Sequence, residues 1–347
     1  MKKNSFLLIL IVAMLVVSST YSQLRRSPEV DKALQKLYDS GAFMGSVLIA
    51  KEGRVMYAKN IGMANMEAHV PITNNSKFEL ASLSKPFTAL LVLQLVEKGV
   101  LDLNAKVSNY IPEFTRADSG AITIHHLLSH TSGLEDFVGL NCPFANWTYK
   151  EFMEGMQKTP VHFKPGSQFE YASSTYILLR FVIERVTGLS YEKNLKDRIF
   201  EPAGMKNSGV IEDQKILNER ALGYLHTEAG WKNASPVANH KIFMGAASIY
   251  STARDLLLFD NALYNNKLVS PETTKKMFSV VRAPYGYGWF IEDDNDKGKI
   301  VSHGGDIFGY TTLMQRRIKD KSLIVILGNM QSIDRGRIIS LLNNLLF

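Results

Sequence analysis

The chain has 347 residues, and 40 Lys and Arg against 33 Asp and Glu give a formal net charge of +7. The positive charges are spread along the chain without a basic cluster, which argues against nucleic acid as a partner. A single cysteine, Cys142, excludes an internal disulfide. The fold therefore has to be stabilised by packing, and a chain of this length can bury a large apolar core.

Residues 1–22 have the features of a secretory signal peptide. Lys2 and Lys3 precede an apolar run over 6–17, and small or polar residues follow as far as Ser22. The run is short for a membrane span, so we expect cleavage after Ser22 and a secreted or periplasmic protein without a membrane span. Retention of the segment as an anchor is the alternative.

The spacing of apolar residues changes twice along the remaining chain, 23–347. Two β-rich runs, 43–50 and 54–60, are joined by residues 51–53, which predicts a hairpin. From about 85 to 277 the spacing is mostly helical. Strands are predicted again near the C-terminus, followed by a helix over 335–346; these strands are 285–291, 300–303, 310–316 and 322–327.

This order of elements predicts an α+β fold. Strands at both ends of the chain can form one antiparallel sheet, from about 28–84 and 284–347. The mostly helical region, about 85–283, is then inserted between the two halves of the sheet, whose faces the helices flank.

The most informative motif is a serine three residues before a lysine, Ser82 and Lys85, where an extended segment enters the apolar stretch 87–96. One helical turn separates the two residues, so they share a face. A neighbouring amine with a lowered pKa can take the proton of a serine hydroxyl as it attacks a carbonyl. A helix N-terminus also favours the developing anion.

The spacing alone is weak evidence, because about one or two such pairs are expected by chance in a chain of this length. Ser190 and Lys193 form a second pair. Their polar surroundings predict a solvated helix, whereas the stretch that follows Ser82 must be buried.

Two further segments are informative only in combination. Tyr171 lies in a turn before a predicted helix over 177–183, and a tyrosine there is usually a packing residue. A predicted strand ends in Gly304 and Gly305, which would allow a substrate or another backbone to approach closely.

In this order, the three segments resemble the serine β-lactamase and penicillin-binding-protein superfamily, particularly its class C β-lactamase, DD-peptidase and esterase branch. The resemblance covers residues 43–327 and implies the β-lactamase/transpeptidase-like fold. The stretches that support it are 126–134, 199–205, 250–256 and 285–289.

The resemblance also implies a role for each residue. Ser82 is the implied nucleophile, Lys85 its proton acceptor, and Tyr171 a phenol that moves protons between them and the leaving group. The backbone N–H groups of Ser82 and Asp306 are the implied oxyanion hole. Substrate-binding and oxyanion positions are implied for Ser173, His303, Gly304, Gly305 and Asp306.

One departure from the family pattern affects the substrate. The family most often has Tyr-x-Asn, and this chain has Ser173 in place of the asparagine. A hydroxyl is shorter than an amide and offers fewer hydrogen bonds to a substrate amide. The Lys-Thr-Gly cation is also absent, and His303 in its place is expected to be only partly charged at neutral pH. Both features disfavour amides and β-lactams relative to esters.

We therefore expect an exported serine hydrolase that forms an acyl-enzyme on Ser82 with a cell-wall D-amino-acid peptide or a related small amide or ester. Alternatives are a carboxylesterase, a β-lactamase, and a penicillin-binding or sensor protein that acylates without turnover. No cofactor is expected. His126 and His130 have a metal-ligand spacing on a predicted helix, but no third ligand lies nearby, so no metal site is predicted. The acyl donor, the acceptor and the oligomeric state stay open.

Overall fold

The computed structural model describes residues 27–116, 122–136, 148–234, 239–282 and 284–344. The predicted signal segment and Cys142 lie outside these ranges. Within them, every helix is too short or too polar to cross a membrane.

The helices and strands of these ranges follow the predicted order. The strands are β1 (Gly45–Lys51), β2 (Arg54–Ile61), β3 (Met63–Asn65), β4 (Val70–Pro71), β5 (Phe78–Glu79), β6 (Gly209–Val210), β7 (Tyr224–Thr227), β8 (Gly230–Asn233), β9 (Ile249–Ser251), β10 (Phe290–Asp294), β11 (Gly298–Ile307), β12 (Tyr310–Arg317) and β13 (Ser322–Gly328). The α-helices are α1 (Pro28–Asp39), α2 (Lys85–Glu97), α3 (Ile124–Leu128), α4 (Tyr149–Lys158), α5 (Ser173–Thr187), α6 (Tyr191–Leu195), α7 (Glu201–Ala203), α8 (Ala253–Tyr264), α9 (Pro271–Met277) and α10 (Arg335–Asn343).

The central sheet is built from both ends of the chain. In the described residues it has six strands in the order β10-β11-β12-β13-β1-β2. Strand β1 pairs antiparallel with β13, so that Ser46 lies opposite Leu327. Glu52 and Gly53 have φ values of 50° and 76°, which suit the tight β1–β2 hairpin. The predicted hairpin and the α+β fold class are confirmed.

Helix α2 lies at the centre of the helical region. Every residue from Lys85 to Leu95 is buried, because a helix that is apolar on all sides has to be covered on all sides. The ring of Phe87 stacks on that of Phe259 in α8, with 4.3 Å between their centroids. The amine of Lys85, at the first position of this helix, is buried with it.

The region inserted between the two halves of the sheet contains short strands as well as helices. Strands β5, β9 and β6 form a small sheet, and β7 pairs with β8. These strands have two to four residues, too few for their alternation to stand out in the sequence. The region predicted as mostly helical, 85–283, thus contains the short strands β6 to β9 beside its helices.

Two local predictions were wrong. The strand predicted over 285–291 begins at Phe290 instead, because the preceding turn packs on α2. In that turn Gly288 has a φ of 80°, and a Cβ there would lie 2.7 Å from the Cβ of Ala89. Helix α3 ends at Leu128, and His130 has a φ of 54°, so His126 and His130 do not lie on one helix.

Candidate active site

Ser82 lies in a short 3-10 turn, Ala81–Ser84, that connects β5 to α2. Ala81 has a φ of 50°, a left-handed conformation that costs free energy in a residue other than glycine. The surrounding structure holds the turn in place. The Leu80 carbonyl, for example, accepts a hydrogen bond of 2.8 Å from Thr312 Oγ1 in β12. The Ser82 turn is thus fixed between the sheet and the first turn of α2.

The amine of Lys85 lies within hydrogen-bond distance of three oxygens. Its Nζ is 3.1 Å from Ser82 Oγ, 3.1 Å from Ser173 Oγ and 3.3 Å from the Ala246 carbonyl oxygen. Burial lowers the pKa of Lys85 to about 7, and the negative charge of Asp136 opposes this shift only in part. With a pKa lowered this far, the Lys85 amine can be neutral near pH 7 and accept a proton.

Tyr171 is the second proton-transfer candidate at this site. Its hydroxyl hydrogen-bonds to Ser82, and its ring centroid is 4.7 Å from Lys85 Nζ. Burial raises the pKa of the Tyr171 phenol, the negative charges of Asp136 and Asp306 raise it further, and the Ser82 hydrogen bond lowers it in part. The environment thus lowers the pKa of the amine and raises that of the phenol. Such a separation suits one group as base and the other as acid.

Strand β11 passes directly beside the Ser82 turn. A Cβ at Gly305 would lie 2.1 Å from the Leu80 carbonyl oxygen and 2.9 Å from Ser82 N, so only glycine fits. A Cβ at Gly304 would instead meet the side chain of Arg335, with 3.3 Å to Nε. Successive residues of a strand point to opposite faces, and Gly305 is the one of the two glycines that faces the serine.

His303 is buried two residues earlier on the same strand. Tyr285 Oη donates to His303 Nε2 over 3.0 Å, and His303 Nδ1 donates to the Gly304 carbonyl over 2.6 Å. Burial and the nearby Lys85 charge lower the pKa of His303 to about 3. The imidazole is therefore neutral at pH 7, in contrast to the partial charge expected from the sequence.

The structure brings most of the predicted site residues into direct contact. Asp306, which follows the glycines, is 60% exposed, and its carboxylate pairs with Arg335 at 2.7 Å. Gly304 faces the opposite side of the strand, towards Arg335, whereas His303 lies on the same face as Gly305, with its ring centroid 6.2 Å from that of Tyr171. Five of the predicted residues lie around the Ser82 hydroxyl and the Lys85 amine: Ser82, Lys85, Tyr171, Ser173 and Gly305. Their catalytic roles stay predictions.

This arrangement can be compared with known proteins. The family model described as Beta-lactamase matches residues 30–339. The chain belongs to the beta-lactamase family. A serine hydrolase of this family is what the sequence resemblance predicted, and both the resemblance and the enzyme class are confirmed.

The relatives of this beta-lactamase-family chain include penicillin-binding proteins. "Penicillin-binding protein 4*" of Bacillus subtilis (strain 168) is 35% identical over 328 residues, which are 86% of this chain and 71% of that protein. The crystal structure of a penicillin-binding protein from Bacillus halodurans is 26% identical, with a TM-score of 0.79, and the match covers 93% of this chain and 100% of that one. D-amino acid amidase from Ochrobactrum anthropi SV3, complexed with L-phenylalanine, has a TM-score of 0.80 at 22% identity over 91% of this chain and 97% of that one, which shows a shared fold alone.

Three neighbours of the beta-lactamase-family site were missed from the sequence. Asp136 Oδ1 accepts hydrogen bonds from the backbone of Ser173 at 2.7 Å, and so caps α5. The imidazole of His130 lies 4.4 Å from the ring of Tyr171, centroid to centroid. Ala246 contributes only its carbonyl oxygen, which any residue type could supply. His130 lay inside a stretch that supported the resemblance, and Asp136 follows that stretch by two residues, so only these two had a sequence signal.

Proposed function

We propose that this chain is an exported serine hydrolase that forms an acyl-enzyme on Ser82 with a cell-wall D-amino-acid peptide or a related small amide or ester. The observation that carries the proposal is the 3.1 Å separation of Lys85 Nζ from Ser82 Oγ in a site whose burial lowers the pKa of Lys85 to about 7. The penicillin-binding proteins among the relatives support the cell-wall substrate, and residues 1–22 support export.

In the proposed acylation step, Ser82 Oγ forms a bond to the substrate carbonyl carbon. The hydroxyl proton passes to neutral Lys85, which becomes an ammonium ion. When the bond to the leaving group breaks, Tyr171 donates its proton to the leaving nitrogen or oxygen and takes one from Lys85. A water molecule then hydrolyses the ester on Ser82, and the free enzyme is restored.

Negative charge develops on the carbonyl oxygen of the substrate while Ser82 attacks the carbonyl carbon. The backbone N–H groups of Ser82 and Asp306 are the proposed donors to it, one from the turn and one from β11. The close approach of Gly305 to Ser82 N supports this assignment, because it sets the two backbones side by side.

A carboxylesterase is the second candidate, and Ser173 is the observation that favours it. The Ser173 hydroxyl lies 3.1 Å from Lys85 Nζ, and its backbone N–H donates to Asp136. A short side chain engaged in this way has less capacity to hold a substrate amide, whereas an ester lacks the N–H that would need an acceptor.

Turnover assays on the purified chain test the proposal. The substrates are p-nitrophenyl esters, D-Ala-D-Ala peptides and a chromogenic cephalosporin. We expect steady turnover of at least one class, with an acyl adduct located on the Ser82 peptide by mass spectrometry. One equivalent of product without turnover would identify a penicillin-binding or sensor protein instead. An adduct on any other residue, or none from any of the three classes, contradicts the proposal.

A further inference from the structure

His162 bridges two carboxylates outside the group of residues around Ser82. Its Nε2 is 2.8 Å from Glu135 Oε2, and its Nδ1 is 2.6 Å from Glu170 Oε1. The side chain is 35% exposed, so protons exchange freely with solvent. We refer to His162, Glu135 and Glu170 as the His162 bridge.

The geometry of the His162 bridge requires an imidazolium. Each carboxylate is an acceptor, so both ring nitrogens have to donate, and only the cation has two N–H groups. A neutral ring would lose one of the two hydrogen bonds and turn a lone pair towards a carboxylate. The two hydrogen bonds also raise the pKa of His162 above its usual value, although solvation at this exposed position limits the effect.

The carboxylates belong to two segments that lead directly into the proposed catalytic group. Glu135 precedes Asp136, and the Glu135 carbonyl accepts a 2.6 Å hydrogen bond from Ser174 Oγ at the start of α5. Glu170 precedes Tyr171, and its backbone N–H donates to the His130 carbonyl over 3.0 Å. The bridge thus ties the segment that caps the helix of Ser173 to the segment that carries the phenol.

We propose that His162, as the imidazolium, is a positioning residue that holds the Glu135–Asp136 and Glu170–Tyr171 segments together, so that its deprotonation lowers the acylation rate at alkaline pH. This inference rests on the proposed roles of Ser82, Lys85 and Tyr171. The charged groups that raise the pKa of His162 include Glu135 and Glu170, one from each of these two segments.

The sign of the pH effect follows from the direction of the pKa shift. The bridge is complete below the ordinary pKa of His162 and is lost as the pH rises through the raised value. Lys85 has to lose its proton, around pH 7, before it can accept one from Ser82. The active form therefore combines a neutral Lys85 with a charged His162, and the rate should rise and then fall with pH.

An exposed ion pair contributes little to overall stability, so the effect should appear in the rate rather than in the melting temperature. The test is the pH dependence of kcat/KM, or of labelling by a fluorophosphonate probe, for wild type and for His162→Arg and His162→Gln. Arg keeps a charge with several donors at every pH, and Gln removes the charge. The control is His69→Asn, an exposed histidine in the β3–β4 turn, where Asn tolerates the φ of 52°.

We expect wild type and His69→Asn to lose activity together at alkaline pH. His162→Arg should stay active at the alkaline pH values at which wild type loses activity. His162→Gln should be slower by about tenfold at the pH optimum of wild type. The melting temperatures of both variants should change little. An identical alkaline limb in wild type and both His162 variants would overturn the inference. Absence of labelling in wild type would instead refute the proposed function.

A second measurement does not depend on activity. NMR titration of the His162 ring protons in the intact chain should give a midpoint above the ordinary value for histidine. Glu135→Gln and Glu170→Gln should each lower that midpoint. A midpoint at or below the ordinary histidine value would overturn the inference even if the His162 variants failed to fold.

Discussion

The same four-residue spacing, serine followed by lysine three positions later, occurs twice in this molecule with different results. At Ser190, the hydroxyl accepts a 3.2 Å hydrogen bond from the backbone N–H of Lys193, and so caps α6. The Lys193 side chain is 55% exposed, and its amine pairs with Asp197 at 2.5 Å. At Ser82, the hydroxyl meets the lysine amine itself, and that amine is buried.

The difference lies in where each helix begins. Ser190 is the residue just before α6, so its side chain folds onto the backbone N–H groups of its own helix. Lys85 is the first residue of α2, and Ser82 lies one 3-10 turn before it. Because α2 is apolar on all sides, the amine is carried into the core with the helix. A spacing motif therefore acquires chemistry only from the position of the helix start and from the burial of the helix.

The largest effect should come from removing each serine in turn. We expect Ser82→Ala to lower kcat/KM by at least about 10⁴-fold and to abolish labelling by a fluorophosphonate or penicillin probe. Ser190→Ala should keep full activity and lose only its helix cap, about 1 kcal/mol of unfolding free energy. Labelling that persists in folded Ser82→Ala would refute the assignment of the nucleophile.

Replacing each lysine should also affect only the Ser82 site, with a smaller loss of activity than replacing Ser82. Lys85→Ala should lower the acylation rate by about 10² to 10⁴-fold, with little change in substrate affinity, since a proton acceptor is lost. Lys193→Ala should be close to wild type. For wild type, the rate should increase with pH around 7, because neutral Lys85 is the active form. A rate that is flat from pH 5 to pH 8 would exclude Lys85 as the proton acceptor.

Substitution of two neighbouring glycines in β11 tests whether the close approach of this strand to Ser82 matters for activity. Gly305→Ala places a methyl group 2.1 Å from the Leu80 carbonyl oxygen, so the strand has to move away from the serine. We expect a loss of about a hundredfold in kcat/KM, because small displacements of reacting groups are costly. Gly304→Ala, whose methyl group would lie 3.2 Å from the Thr312 carbonyl oxygen, should lose less than about tenfold in kcat/KM. Both proteins need a thermal melt first; equal activity losses in two folded variants would argue against a special role for the Gly305 contact.

The smallest expected effect concerns the hydroxyl that shares the Lys85 amine with Ser82. Ser173→Asn restores the residue usual in the family and should raise amide or β-lactam acylation relative to ester hydrolysis by about tenfold, or about 1.4 kcal/mol in the transition state. The measurement is the ester-to-amide ratio of kcat/KM for substrates of matched structure. If that ratio is unchanged in a folded variant, specificity is set elsewhere, for which the segment around Asp306 is the first candidate.

The sequence was sufficient for those parts of the molecule that depend on local patterns. The long apolar run of α2 and the short apolar runs of β1 and β13, which are buried almost throughout, indicated burial directly. The environment of His303 could not be derived in this way, because its neutral state depends on burial by the surrounding elements and on the nearby Lys85 charge. The contact of the Ala246 carbonyl with Lys85 could not be predicted from the sequence either, because every residue type has a backbone carbonyl. The left-handed φ of Ala81 also had no signal, because tertiary contacts impose it on a residue that does not prefer it.

Pairing of β1 with β13 has a consequence for the timing of biosynthesis. Ser82 and Lys85 are synthesised early, but the strand that approaches Ser82 includes Gly305, and the partner of β1 ends at Gly328. Contacts between such distant parts of a chain form slowly, and here they require that most of the chain has been translated. A ribosome-bound chain that ends before Gly298 therefore carries both residues of the pair without an assembled site. Hydrolytic activity arises only after the last strands of the sheet have been made and have found their partners.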